Sequence, residues 1–201
     1  MRSQNSSRGC SYSTFLCYLL IAASLVLSGC VYSVSPLYTS KDTVYDKALE
    51  GVWGRKGDTS TWAFQKGEGT SYKLIVTEGE NPSPFVAHLA QLGGHRFLDV
   101  CPDVSGLDDW KQAQLLYKSA LIPGHLFIKV LQVGPTLRMK LLDDEWMGEL
   151  LKKDPRALAH EEMQGGKVLL TATTAALQTF LMQNWNTAAA WNSDSGELQR
   201  Q

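Results

Sequence analysis

The chain has 201 residues, 44% of them hydrophobic and 19% charged, and its formal net charge is −1. That balance belongs to a folded globular chain and argues against a disordered acidic tail or a basic nucleic-acid surface. The length suits a single domain whose core is large enough to hold without staples.

Residues 1–13 are polar, with Arg2 and Arg8 and no acid, and an apolar run of 14 residues follows at 14–27. A permanent membrane helix needs about 20 such residues. A short apolar run behind a basic start predicts a removable signal peptide. The run ends in Leu27-Ser28-Gly29-Cys30. Two small residues let an extended chain enter a narrow peptidase site, and the cysteine offers a sulfur for acylation. This closely resembles the lipobox of bacterial lipoproteins. The resemblance implies cleavage before Cys30, a diacylglyceryl group on its sulfur and a third acyl chain on the freed amine. Two acyl chains already anchor stably, at about 0.8 kcal/mol per buried CH₂. In Gram-negative lipoproteins an aspartate beside the cysteine retains the protein in the inner membrane, and here the neighbour is Val31. In such a host the resemblance implies an outer-membrane location facing the periplasm.

Cleavage would leave 172 residues with 17 basic and 20 acidic side chains, about −3. Cys10 and Cys17 leave with the leader, and lipidation of Cys30 leaves Cys101 without a partner. No internal disulfide is expected, although an exported compartment permits them.

Residues 30–48 show no clear hydrophobic period and include Ser35-Pro36, so they read as a lipidated terminus and tether. From Gly51 the pattern is β. Trp62 and Phe64 alternate within 61–65, residues 66–70 turn, and 71–77 return, which predicts a hairpin. Residues 78–84, rich in Gly, Asn and Pro, read as a loop. A second hairpin joins 85–92 to 95–100 across Gly93-Gly94, where two glycines suit a tight turn. Its register sets Leu92 against His95, Ala90 against Phe97 and His88 against Asp99. Residues 101–111 read as a loop and 112–120 are ambiguous. A third hairpin, 125–132 and 136–142, turns at Gly134-Pro135.

The end of the chain changes character. Asp143 or Asp144 caps a helix carrying Trp146, Met147, Leu150 and Leu151, with Lys152 and Lys153 in its last turn and Pro155 beyond. Residues 167–171 read as a last short strand. Thr173 or Thr174 caps a second helix with Leu177, Phe180, Leu181 and Trp185 on one stripe. From Asn186 the chain turns polar and is expected to fray.

About eight short strands joined largely by hairpins, with two late helices, predict an α+β fold that is mainly antiparallel β. A small barrel is the first expectation, and a strongly curved open sheet with helices on one face is the second. The chain divides into a signal peptide (1–29), a lipidated tether (30–48), one β-rich domain (49–190) and a polar tail (191–201). Gly51-Val52-Trp53 at the start of the first strand resembles the Gly-x-Trp of lipocalins. That likeness implies a barrel closed by Trp53 and holding a small apolar ligand, with Trp53 a candidate ligand contact. The chain lacks the Thr-Asp-Tyr of that family, and its two late helices depart from the family's single long one. The residues Ala87 to Leu89, Leu92 to His95, Phe97, Asp99, Pro123, His125, Phe127, Lys129, Val130 and Trp146 to Pro155 are also similar to a group of bacterial envelope lipoproteins of unknown function.

His88 opposite Asp99, with His125 to complete the group, is the most chemical-looking constellation. A carboxylate can orient an imidazole for acid–base work or metal binding. A cross-strand polar pair contributing under ~1 kcal/mol is the bland alternative, and the favoured one. His160-Glu161-Glu162-Met163-Gln164 has Gln164 where a zinc protease needs its second histidine, so it predicts no zinc site. Gly165-Gly166-Lys167 lacks phosphate-loop spacing and reads as a turn, no Gly-x-Ser-x-Gly elbow occurs, and Cys101 lacks a context that would activate it. No cofactor, metal or catalytic residue is expected. The functional expectation is a non-catalytic envelope lipoprotein holding a small apolar ligand in a barrel. A structural or assembly lipoprotein contacting another envelope component is the alternative, and a hydrolase-type enzyme at His88 and Asp99 comes third.

Overall fold

The computed structural model describes residues 31–105, 123–164, 167–191 and 197–201. The leader, Cys30, the ambiguous 112–120 and the Gly165-Gly166 turn lie outside the described residues. The chain enters through β1 (Tyr32–Ser33) and β2 (Thr43–Val44) and makes a 3₁₀ turn at Lys47–Leu49. It continues through β3 (Gly51–Gly54), β4 (Thr61–Lys66), β5 (Ser71–Glu78), β6 (Asn81–Leu92), β7 (His95–Pro102), β8 (Leu126–Val133) and β9 (Thr136–Leu141). Then come α1 (Asp144–Lys153), β10 (His160–Glu162), β11 (Val168–Leu170), α2 (Thr174–Gln183) and β12 (Glu197–Arg200).

Strands β3 to β9 form an antiparallel meander, and β12 fits between β9 and β3 to close an eight-stranded barrel. The barrel is therefore the architecture, with two helices late in the chain, as the hairpin pattern predicts. The three expected hairpins stand. The second has the expected register throughout, and Gly93 and Gly94 take φ of 52° and 86° at its turn. Both values lie in the left-handed region that a two-residue hairpin needs.

Inward positions alternate along each strand. Trp53, Phe64, Tyr72, Leu74, Leu89, Leu98, Ile128 and Leu137 are fully buried there and fill the interior. Strands β6 to β8 are buried on their outer face as well. Leu92, Phe97 and Phe127 point out of the barrel into a second core built with Met147, Leu151, Leu177, Phe180, Leu181 and Trp191. Asp143 caps α1 by accepting from Trp146 N at 2.8 Å, and Thr173 caps α2.

Three segments differ from the sequence reading. Residues 78–84 are not a loop: β5 and β6 meet at Gly79-Glu80, and β6 runs through Pro82 and Pro84. The Pro84 carbonyl accepts from Asp103 N, so the backbone polar groups of Pro84 face the β7 side. Its missing N–H therefore costs nothing in the ladder with β5. Residues 31–48 are folded and do not form a loose tether. Val31, Ser33, Leu37 and Leu49 are buried, β1 pairs in parallel with β11, and β2 extends the edge of β6. Nor are the last residues a free tail. Trp191 is buried, and β12 closes the barrel although it has only Leu198 to bury. One apolar residue in four leaves no period for a sequence reading to detect.

β1, β11 and β10 make a separate three-stranded sheet over the outer core. The expected last short strand at 167–171 forms as 168–170 in this second sheet. Among the described residues no helix is long and apolar enough to cross a membrane.

Candidate functional site

Asp99 projects from β7 between Leu98 and Val100, which fill the barrel, so alternation turns its carboxylate outward. Residues 31–38 cover it there, and Asp99 is only 1% exposed. One carboxylate oxygen accepts from Leu37 N at 2.6 Å and the other from His125 Nδ1 at 2.6 Å. His125 is placed for this by its backbone bridge to Ser33, with hydrogen bonds of 3.0 and 2.9 Å. His88 lies directly across the ladder from Asp99, and its ring stacks on Tyr38 at 4.2 Å.

The structure thus brings His88, Asp99 and His125 together and adds Tyr38 and Cys101. Burial lowers the pKa of His88, with His125 adding to the effect and Asp99 opposing it. Burial pushes the Tyr38 hydroxyl up to about 12, helped by Asp99 and then Cys101. The Cys101 thiol is pushed up to about 11 by burial and then by Asp99. Every shift here disfavours charge, the reverse of an activated nucleophile. Among the described residues no cluster of His, Cys, Asp and Glu is arranged to hold a metal ion. His95, at the other end of the hairpin, stacks on Trp185 at 4.0 Å.

The partners of Asp99 explain why the sequence shows only half of this group. The hairpin register yields His88 and Asp99, but Leu37 N comes from 62 positions away and carries no side-chain signal.

Trp53 is fully buried in the barrel interior, across the β3–β4 ladder from Trp62. Its indole N–H donates to Leu49 O at 2.8 Å, and the Arg200 guanidinium carbon lies 4.3 Å from the ring centre. Arg200 also donates to the Ala48 and Glu50 carbonyls, holding the 3₁₀ turn against Trp53. Gly51 is required beside it. It sits at φ 122°, and a Cβ there would meet Arg200 Nη1 at 2.3 Å. The Gly-x-Trp pattern therefore packs Trp53 between the 3₁₀ turn and Arg200.

The β3–β4 turn leaves a hollow of about 180 Å³ lined by Trp62, Met139, Leu141 and Leu198, with Arg55, Asp58 and Ser60 at its rim. Trp53 does not line it. A second, shallow groove of about 600 Å³ runs between residues 156–159 and α2, past Leu158, Ala172 and Phe180.

Lys129 is a feature the sequence reading did not single out as chemical. It points from β8 into the outer core, donates to Trp185 O, and lies 4.1 Å from the Trp185 ring and 5.3 Å from that of Trp191. Burial, then Lys140, lowers its pKa. Comparison with protein-family models, with curated proteins and with solved structures gives no match to this chain.

Proposed function

We propose that this is a non-catalytic envelope lipoprotein, anchored through lipid on Cys30, whose barrel holds one small apolar group at its open end. The hollow beside Trp62, Met139, Leu141 and Leu198 is the observation that carries the binding reading. At about 180 Å³ it falls short of the ~300–1,000 Å³ usual for drug-sized ligands. It compares instead with an engineered cavity of about 150 Å³ that takes benzene. The ligand class is therefore a single ring or the tip of an aliphatic chain, with its polar end toward Arg55, Asp58 and Ser60. Calorimetric titration with indole should show saturable binding that Leu141→Trp abolishes by filling the space. Absent saturation, or binding unchanged in the variant, would remove this reading.

The lipid anchor rests on Leu27-Ser28-Gly29-Cys30 behind a basic, short apolar leader. Labelled palmitate should enter the protein and be lost in Cys30→Ala, and equal labelling of both would reject the anchor. In a Gram-negative host Val31 directs the protein to the outer membrane, facing the periplasm.

The His88–Asp99–His125 group fastens the chain and does not catalyse. Asp99 is buried and both its oxygens are engaged, so no substrate reaches the carboxylate. A structural or assembly role is the second reading, favoured by the largely filled barrel and the open groove along α2. A photo-crosslinker at Gln183, on the rim of that groove, should then trap one envelope component in intact cells. Loss of that adduct in Phe180→Glu would be expected, and no specific adduct would count against the role.

A further inference from the structure

The way β1 is built constrains which side of the protein meets the membrane. Val31 is only 6% exposed, and the next two residues already pair with Leu169 and Leu170. No slack chain therefore separates residue 30 from the fold. Consecutive Cα atoms lie about 3.8 Å apart, so a lipid on Cys30 starts within one residue of the small sheet. The headgroup layer of each leaflet is roughly 5–7 Å thick. Groups beside the start of β1 must then sit in or against that layer.

The small sheet presents a suitable face. Val168 and Leu170 point into the outer core, so Leu169 between them turns the other way. Tyr32 and Glu161 are its register partners on the same face. Tyr32 and Leu169 are half-buried. Lys167 directly precedes β11, whose Leu169 pairs with Tyr32. Met163, whose backbone N–H donates to Lys167 O, is 47% exposed, the highest among the exposed large hydrophobics of the described residues. Tyrosine and a lysine stem both partition to the membrane–water boundary. The acids Glu161 and Glu162 offset Lys167, so attraction to anionic lipid does not drive the contact.

We propose that the outer face of the β1–β11–β10 sheet, with Tyr32, Leu169 and Met163, lies against the bilayer surface. The inference rests on the lipidation of Cys30 proposed above. The far end of segment 31–48 lies elsewhere: Thr43, in β2, accepts from the Thr70 hydroxyl beside the β4–β5 turn. Glu68 in that turn is exposed and serves as the distant control.

The test uses full-length protein matured in cells and reconstituted in phosphatidylcholine vesicles. With Cys101→Ser as background, Met163→Cys and Glu68→Cys each carry an environment-sensitive fluorophore. The probe at 163 should shift to the blue and be quenched several-fold more strongly by nitroxide lipids than the probe at 68. That difference should persist at high salt, which screens charge but leaves a tethered contact in place. Palmitate-labelled protein with equally aqueous probes would overturn the face alone. Protein without palmitate would overturn the anchor, and this face with it.

Discussion

Asp99 and His125 form a hydrogen-bonded pair at 2.6 Å on the outside of the barrel, and the second oxygen of Asp99 holds the backbone of Leu37. One buried carboxylate therefore ties β7, the start of β8 and the entering chain together. Removing it orphans a buried N–H and releases His125. Asp99→Ala should cost about 3 kcal/mol in urea unfolding and speed amide exchange at Leu37. Asp99→Asn should cost less, because its carbonyl still accepts from Leu37 N while the other tautomer of His125 accepts from its amide. An Asp99→Ala variant within about 0.5 kcal/mol of the parent, the range of surface substitutions, would remove the fastening role.

His88 contributes to the pH dependence of stability. Burial holds its folded-state pKa below the unfolded value, so the unfolded chain binds more protons in the interval between the two. Stability is then complete above the ordinary histidine value near 6.5 and declines as pH falls through the lower, folded value. His88→Gln should flatten that decline while Asp99 stays in place. An unchanged slope below about pH 6.5 would show that other groups carry it.

The Cys101 thiol, raised to about 11, should be nearly inert. At pH 8 a group with that value is about 0.1% thiolate, against roughly a quarter for an ordinary cysteine. Alkylation of the folded protein should thus run hundreds of times slower than that of the urea-unfolded chain. Comparable rates in the two states would contradict the half-buried placement of Cys101 beside Asp99.

Barrel closure depends on the last strand. Leu198 is buried beside Leu137, and Gln201 N bonds to Val52 O. Leu198→Ala should cost about 2–4 kcal/mol. Deletion of 197–201 leaves the facing edges of β3 and β9 unpaired and should abolish cooperative thermal unfolding. A truncated protein with an unchanged melting curve would mean that β12 is dispensable.

Gly51→Ala tests the packing of Arg200 over Trp53. The substitution meets both an unfavourable φ and Arg200, whose displacement uncovers Trp53. A loss of about 2–3 kcal/mol is expected. In an Arg200→Ala background the same substitution should cost less, because the steric share of the loss is gone. A fully additive double variant would show that the two residues do not couple.

Much of the barrel was legible because its signals are local. Gly93-Gly94 selects a two-residue turn, and the turn sets the whole register that places His88 opposite Asp99. Asp143 and Thr173 announce their helices by side chains that bond within three residues.

Tertiary structure decided the rest, where a segment's conformation depends on partners far away in sequence. Residues 31–48 look like a tether because their hydrogen bonds go to Asp99, His125, Leu170 and Gln178, and none of these is a neighbour in the chain. β12 has one apolar residue, and its place follows from the vacant ladder positions of β3 and β9. The inward side chains match the barrel's bore, so among the described residues the interior is largely packed, with a hollow beneath the β3–β4 turn. Alternation told which residues face inward; how completely they fill the space is set by how the two ends of the meander close.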